Sequence, residues 1–264
     1  MQARKYVPEN LPLVNFFGWT LGGFYLARYS DSPVGPFDEL VALAGLAWNF
    51  PTSCAWAARV YVNNKSARNH GLSVVGLPSR LASFKAIPKP STGSMSSKKQ
   101  ERKKSINWWS KSRIAQENAG EPEPEFIQIC NREKCRLGLW GRVTKLLVGK
   151  KGDNGTIKGL NAPVCSIEVP EIENQWAPTI QMFLPSYSGA TPTCPDLLKY
   201  SLRMFTKVRI VPPVKIKIPE KENGLELNTL EAVGAVLGGR PLLCMAFENM
   251  EMQVEAPETL ELPS

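Results

Sequence analysis

Glu39 follows the turn SPVGPFD, Ser32–Asp38. A carboxyl held inside a fold can polarise or hydrogen-bond the polar head of a ligand, or pass it a proton. It can also be one half of an internal ion pair, with Arg59 or Arg80 as the base. A buried carboxylate needs a partner whether or not it has a function, so the ion-pair reading is favoured. The loop GLPSRLASF, Gly76–Phe84, sets Ser79 beside Arg80. Arg80 can grip a carboxylate or hydroxyl of a bound molecule. Other chemistry is thin. His70, in RNHG, reads as a turn residue, with no arrangement of Ser, Cys or Asp around it that would make it catalytic. The cysteines Cys54, Cys130, Cys135, Cys165, Cys194 and Cys244 are scattered. Four residues separate Cys130 from Cys135, but with a single His in the chain and no second close pair they read as reduced thiols rather than zinc ligands. No phosphate loop, dinucleotide fingerprint or paired metal ligands occur, so no metal and no cofactor are expected.

The elements around these residues read as β structure. WTLGGFYLARY alternates, with Trp19, Leu21, Tyr25 and Tyr29 on one face and a Gly-Gly pair allowing a bulge or close approach. The apolar window Leu40–Trp48 reads as a buried strand. SCAWAARVYV alternates again, Cys54, Trp56, Ala58, Val60 and Val62 against Ala55, Ala57, Arg59 and Tyr61. Three strands in series with short turns predict antiparallel pairing. Lys65 falls in a polar turn, and a short helix is predicted to start at Pro78–Phe84. In the second half CSIEVP, TIQMFLPS and the VKIKI segment are short strands. In KYSLRMFTKVRIV, Tyr200, Leu202, Met204, Val208 and Ile210 face one way and Arg203, Lys207 and Arg209 the other. NTLEAVGAVLGG predicts a helix capped by Asn228, with Glu231 at the capping-box position and Gly238–Gly239 at its end. A long mixed strand, PLLCMAFENMEMQVEAP, follows. Many curved antiparallel strands and few short helices make the expected class α+β, with a barrel-like sheet around an interior.

The formal charge of +8 is concentrated rather than spread. Residues 85–116 hold nine bases and one acid, which leaves the remainder neutral. From Ala86 to Glu125 periodicity is lost in a Ser-, Lys-, Pro- and Glu-rich run. The chain therefore reads as one domain in two halves, 1–85 and 126–264, split by a basic, disordered insertion at 86–125. Within it, Trp108–Trp109 among Lys and Arg suits an anionic membrane surface contacted through Lys98–Arg113; a loop folding back on the body is the favoured alternative. The basic run alone would suit RNA, but no nucleic-acid fold accompanies it and no nucleic acid is expected. No apolar run approaches the ~20 residues of a membrane helix, so a soluble protein is expected. The start, MQARKYVPENLPL, lacks the pattern of a signal or transit peptide.

Three stretches in succession, GGFYLARYSDSPVGPFDELV, CAWAARVYVNN and HGLSVVGLPSRLASF, resemble the acetoacetate decarboxylase-like superfamily. With LPSYSGATP, LLKYS and MQVEAP they resemble most its plant branch, the neoxanthin-deficient proteins, over most of the chain outside Ala86–Glu125. The superfamily resemblance implies a cone-like β-barrel around an apolar pocket, in which a lysine amine forms a Schiff base with a β-keto acid. That lysine pair aligns here with Ser79 and Arg80, while the family carboxylate is retained as Glu39. A serine hydroxyl cannot form an imine, and a guanidinium stays protonated and delocalised. Lys65 and Lys85 are not natural pocket residues. Schiff-base decarboxylation is therefore not expected.

The expectation is an accessory, non-catalytic protein required for neoxanthin formation, and hence for abscisic acid supply. It would bind an apolar or amphipathic small molecule, a xanthophyll or its precursor, among Glu39, Arg80, Ser79, Tyr25 and Arg59. The alternatives are an enzyme with hydratase- or isomerase-like chemistry using Glu39 as acid, and a scaffold acting through the basic insert. As the sequence stands the compartment is cytoplasmic. Resembling proteins carry a further strand-rich stretch before ARKYVPENLPL, so an incomplete start would hide a leader and make the chloroplast the alternative.

Overall fold

Alternating stretches of the first half become a meander. Gly23–Tyr29 (β1), Phe37–Asn49 (β2) and Thr52–Val62 (β3) pair antiparallel in order. The computed structural model describes residues 3–88, 124–133, 161–170, 172, 176–219, 233–234, 236, 238–239 and 241–260. Expectations for Lys98–Arg113, Trp108–Trp109, Cys135, Asn228 and Glu231 lie outside those residues. The remaining elements are a helix, Lys65–Ser73 (α1), and strands Ser79–Pro88 (β4), Pro124–Asn131 (β5), Pro163–Glu168 (β6), Thr179–Gly189 (β7), Leu197–Val211 (β8), Ile216–Lys217 (β9), Cys244–Val254 (β10) and Glu258–Thr259 (β11).

Strand β3 is where the sheet divides. One flank is taken by β2. The other is shared: Ala55–Trp56 run parallel to Ser186–Tyr187 of β7, and Val60–Val62 run parallel to Ser79–Leu81 of β4. Two wings therefore leave the same strand, β7–β8–β10 with β11, and β4–β5–β6–β9. Among the described residues the sheet is mixed, mostly antiparallel and not closed, so the expected barrel-like sheet stands as an open, α+β, cone-like fold. Among the described residues one apolar cluster joins Leu40 of β2 and Tyr61 of β3 to Ala82, Ile127, Ile129 and Ile167 of the β4–β5–β6 wing, with Val233 buried against them. A second collects Val7, Leu11, Ala47, Cys54, Trp56, Tyr187 and Leu197, and a third holds Val60 and Val62 against Ala67 of α1. Each fully buried Leu or Ile contributes about 1.5–3 kcal/mol relative to exposure.

Several local expectations are corrected. Trp19 and Leu21 do not share a strand with Tyr25; they are 80% and 72% exposed, in a segment before β1. There Phe16 and Trp19 exchange two backbone hydrogen bonds around Phe17 and Gly18, both at positive φ, closing a tight turn instead of extending the strand. The helix expected at Pro78–Phe84 is β4, because the free flank of β3 accepts Ser79–Leu81, while Pro78 disfavours a helical residue before it. The helix lies earlier. The Asn64 side-chain oxygen accepts from the Ser66 and Ala67 N–H groups at 2.7 and 3.2 Å, so Lys65 and His70 are helical and not in a turn. Tyr200 and Met204 are buried as expected, but Ile210 is 78% exposed: β7 pairing stops at Lys207, and β8 continues with one neighbour. At the second predicted helix, Val233, Gly234 and Val236 are helical.

Candidate functional site

Side chains opposite one another across a ladder point to the same face of the sheet. Tyr25 pairs with Val41, Ala27 with Glu39 and Tyr29 with Phe37; Glu39 in turn pairs with Val62, and Val60 with Ser79. Those residues occupy one face. Leu40 pairs with Tyr61, Ala42 with Arg59, and Tyr61 with Arg80, which places Arg59 and Arg80 on the other. The five expected site residues are thus split by the pleat, Tyr25, Glu39 and Ser79 against Arg59 and Arg80. The expectation that Glu39 pairs with Arg59 or Arg80 is not met: a one-residue difference in register parity points the carboxyl and the guanidinium groups to opposite sides.

The partner Glu39 does have is the Tyr29 hydroxyl, which donates to its Oε2 at 3.0 Å. Burial pushes the Glu39 carboxyl up to about 7, against a smaller downward pull from that hydrogen bond. The residue nevertheless keeps part of its accessible surface. The side chain is thus desolvated although the residue as a whole is not fully covered. Burial likewise holds the Tyr29 hydroxyl above its ordinary range, and the Glu39 charge adds to the effect. Tyr25 is raised by burial first, with the Tyr29 hydroxyl acting in the opposite sense. Across the interior, Tyr200 of β8 is raised by burial and then by the Glu39 charge. Strand β10 closes the other side: the Tyr25 hydroxyl donates to Met250 Sδ at 3.0 Å, the Tyr29 hydroxyl lies 3.9 Å from Met252 Sδ, and the Phe247 ring is 6.4 Å from that of Tyr25. Three phenol hydroxyls and one carboxyl therefore meet in a surround of thioethers and an aromatic ring.

Ser79 is buried on this face but turned toward α1, where a Cβ on Gly71 would collide with its Oγ. The position the family resemblance reserves for an amine is covered by a helix turn. On the opposite face the Tyr61 hydroxyl is fully buried, with no hydrogen-bond partner among the described residues; burial raises it, while the Arg59 and Arg80 charges act in the lowering sense. Arg28 and Asp38, which face each other across β1 and β2, pair on that side as well. Tyr29 was placed beside Tyr25 by alternation, but nothing in the sequence tied either to Glu39. Tyr200, Met250 and Met252 carried no signal beyond membership of strands far along the chain.

No family model matches the chain. It is 37% identical over 277 residues to Protein NEOXANTHIN-DEFICIENT 1 of Oryza sativa subsp. japonica, spanning 97% of this chain and 82% of that protein. The protein of the same name from Solanum lycopersicum is 37% identical over 282 residues, spanning 98% and 85%. The one from Arabidopsis thaliana is 35% identical over 276 residues, spanning 97% and 86%. Among solved structures, acetoacetate decarboxylase from Legionella pneumophila superposes with a TM-score of 0.51 at 8% identity, over 98% of this chain and 79% of that one. At that identity the likeness speaks to the fold alone, and it is the acetoacetate decarboxylase-like fold that the motifs implied.

Proposed function

The chain belongs to the neoxanthin-deficient family of plant proteins, and from that premise we propose that it supports neoxanthin formation, and through it abscisic acid supply, by holding an apolar or amphipathic small molecule between β1–β2 and β8–β10. The observation that carries this reading is the desolvated Glu39 carboxyl, on a residue of intermediate exposure, among Tyr25, Tyr29, Tyr200, Met250 and Met252. Apolar walls with a few convergent polar groups are what a small-molecule site requires. No imine chemistry is assigned to the site, because Ser79 and Arg80 stand where the amine would be, and they face opposite ways. Purified protein incubated with a xanthophyll should co-elute with pigment and give a complex in native mass spectrometry. A saturating titration without binding would end the proposal. Trapping with borohydride and acetoacetate should leave the chain unmodified.

The pKa of about 7 at Glu39, with a phenol donating to it, favours one second reading: a hydratase- or isomerase-like enzyme in which Glu39 moves a proton. Complementation of a neoxanthin-deficient plant separates the two. Full activity of Glu39→Gln removes the enzyme; loss of activity with pigment binding retained supports it. We also propose that Lys98–Arg113 contacts anionic membrane surfaces, on the strength of its charge and its tryptophan pair. Flotation with phosphatidylserine vesicles should fall when that segment is deleted and when salt is raised.

A further inference from the structure

Charge is distributed unevenly between the two faces of the sheet at the site. On the face of Glu39, β1 presents Tyr25 and Tyr29, β3 presents Val62, β8 presents Tyr200, and β10 presents Met250 and Met252. Among the described residues none of these groups is a cation. The basic residues nearest along the same strands belong to the opposite face. Arg28 lies opposite Asp38, Arg59 and Arg80 flank Tyr61, and Lys199 of β8 sits across from Tyr187 while its neighbour Tyr200 sits across from Ser186. The Lys199 amine donates to Asn49 Oδ1 at 3.3 Å, away from the carboxyl.

We infer that this face selects ligands by an uncharged oxygen, a hydroxyl or carbonyl, and rejects carboxylates. The inference rests on the ligand-holding reading above and adds the chemistry of the ligand's polar end. A hydroxyl donates to ionised Glu39, and it can accept from Tyr25 if that phenol gives up its weak bond to Met250 Sδ. The one Tyr29 proton is already given to Glu39, so a carbonyl accepts from Glu39 when that carboxyl holds its own proton. Both ionisation states of Glu39 therefore serve a neutral oxygen. Helix α1, packed on the same face through Ala67 and Gly71, carries Lys65 and Arg68, and Arg68 is paired with Glu133 at 3.0 Å. A carboxylate at Glu39 therefore meets a like charge in a poorly solvated surround, with no cation among the β1, β3, β8 and β10 groups named above. Only protonation of Glu39 relieves the conflict, and burial brings that proton within reach near neutral pH. The site thus differs from a keto-acid site in two ways: it lacks the amine, and it repels the acid group.

The test uses the full chain with two probes of equal length, decanol and decanoate, titrated by calorimetry. At about pH 8, where Glu39 is mostly ionised, decanol should bind at least about tenfold more tightly than decanoate. At about pH 6 the gap should narrow, since Glu39 gains its proton while decanoate stays ionised. Glu39→Gln should narrow the gap at the higher pH and abolish its pH dependence. Tyr29→Phe, with an unchanged melting temperature, should weaken decanol more than decanoate. Decanoate binding as tightly as decanol at the higher pH overturns the inference and leaves the ligand-holding reading standing. Failure of both probes to bind overturns that reading and the inference with it.

Discussion

Glu39 is a carboxyl whose neutral form suits the fold better than its charged form, and the consequence is measurable as stability. Its pKa rises on folding from 4.5 to about 7. The folded protein therefore keeps a proton that the unfolded chain releases between those values, so this residue's contribution is fully present below the lower one and is lost as pH rises through the upper. The full span is worth up to about 3 kcal/mol. Glu39→Gln, which cannot ionise, should unfold in urea at higher denaturant than the parent at about pH 8 and at nearly the same point at about pH 4.5. A parent curve with no such fall relative to the variant would mean the carboxyl is solvated. Ser79 gives a second test. Ser79→Lys restores the residue type of the family's amine but puts a long cationic chain against Gly71 of α1. It should lower the melting temperature and still yield no borohydride adduct with acetoacetate. Of these two residues the sequence made the types and the missing amine legible; the Tyr29 partner and the helix over Ser79 were not, because both are contacts between elements.

Among the elements, α1 departs most from expectation, a helix at Lys65–Ser73 where a polar turn is expected, with a strand at the Pro78–Phe84 segment expected to be helical. KSARNHGLS has a weak apolar pattern, and its cap, Asn64, reads equally well as a turn residue. The helix is held by that cap and by close approach to β4. Gly71→Ala should destabilise by about 1–3 kcal/mol through overpacking against Ser79, and Asn64→Ala by about 1 kcal/mol through loss of the cap, both read from urea midpoints. If Gly71→Ala were neutral, α1 would have room to shift and Ser79 would not be sealed. The strands were easier. Alternation in SCAWAARVYV survives as buried Cys54, Trp56, Val60 and Val62, yet Tyr61 on the other face is buried too, since β3 is central and covered on both sides.

For the whole molecule, the division of β3 between two partners sets the shape, and the segment before β1 carries an apolar surface of its own. Phe16, Phe17, Trp19 and Leu21 stand exposed just before β1. Single exposed apolar residues are ordinary, but four within six positions form a patch of the kind that drives association. The double variant Phe17→Ser/Trp19→Ser should keep the parent melting temperature and reduce concentration-dependent self-association in sedimentation velocity. A large fall in melting temperature would instead make the tight turn part of the core.

The pattern of apolar residues along each strand, the Pro/Gly turns between strands and the absence of a lysine after Gly-Leu-Pro are local properties, and the sequence alone determined them. Alternation with period two reports that a strand has two faces without reporting which face looks inward. That was decided by pairing: Glu39 lies across from Val62 and Leu40 from Tyr61, so adjacent residues on one strand enter different environments. The carboxyl consequently joined three tyrosines drawn from β1 and β8, and the two arginines joined the opposite core. A shift of one residue in that ladder would exchange them, and only the assembled sheet, with its long-range contacts, holds the register in place.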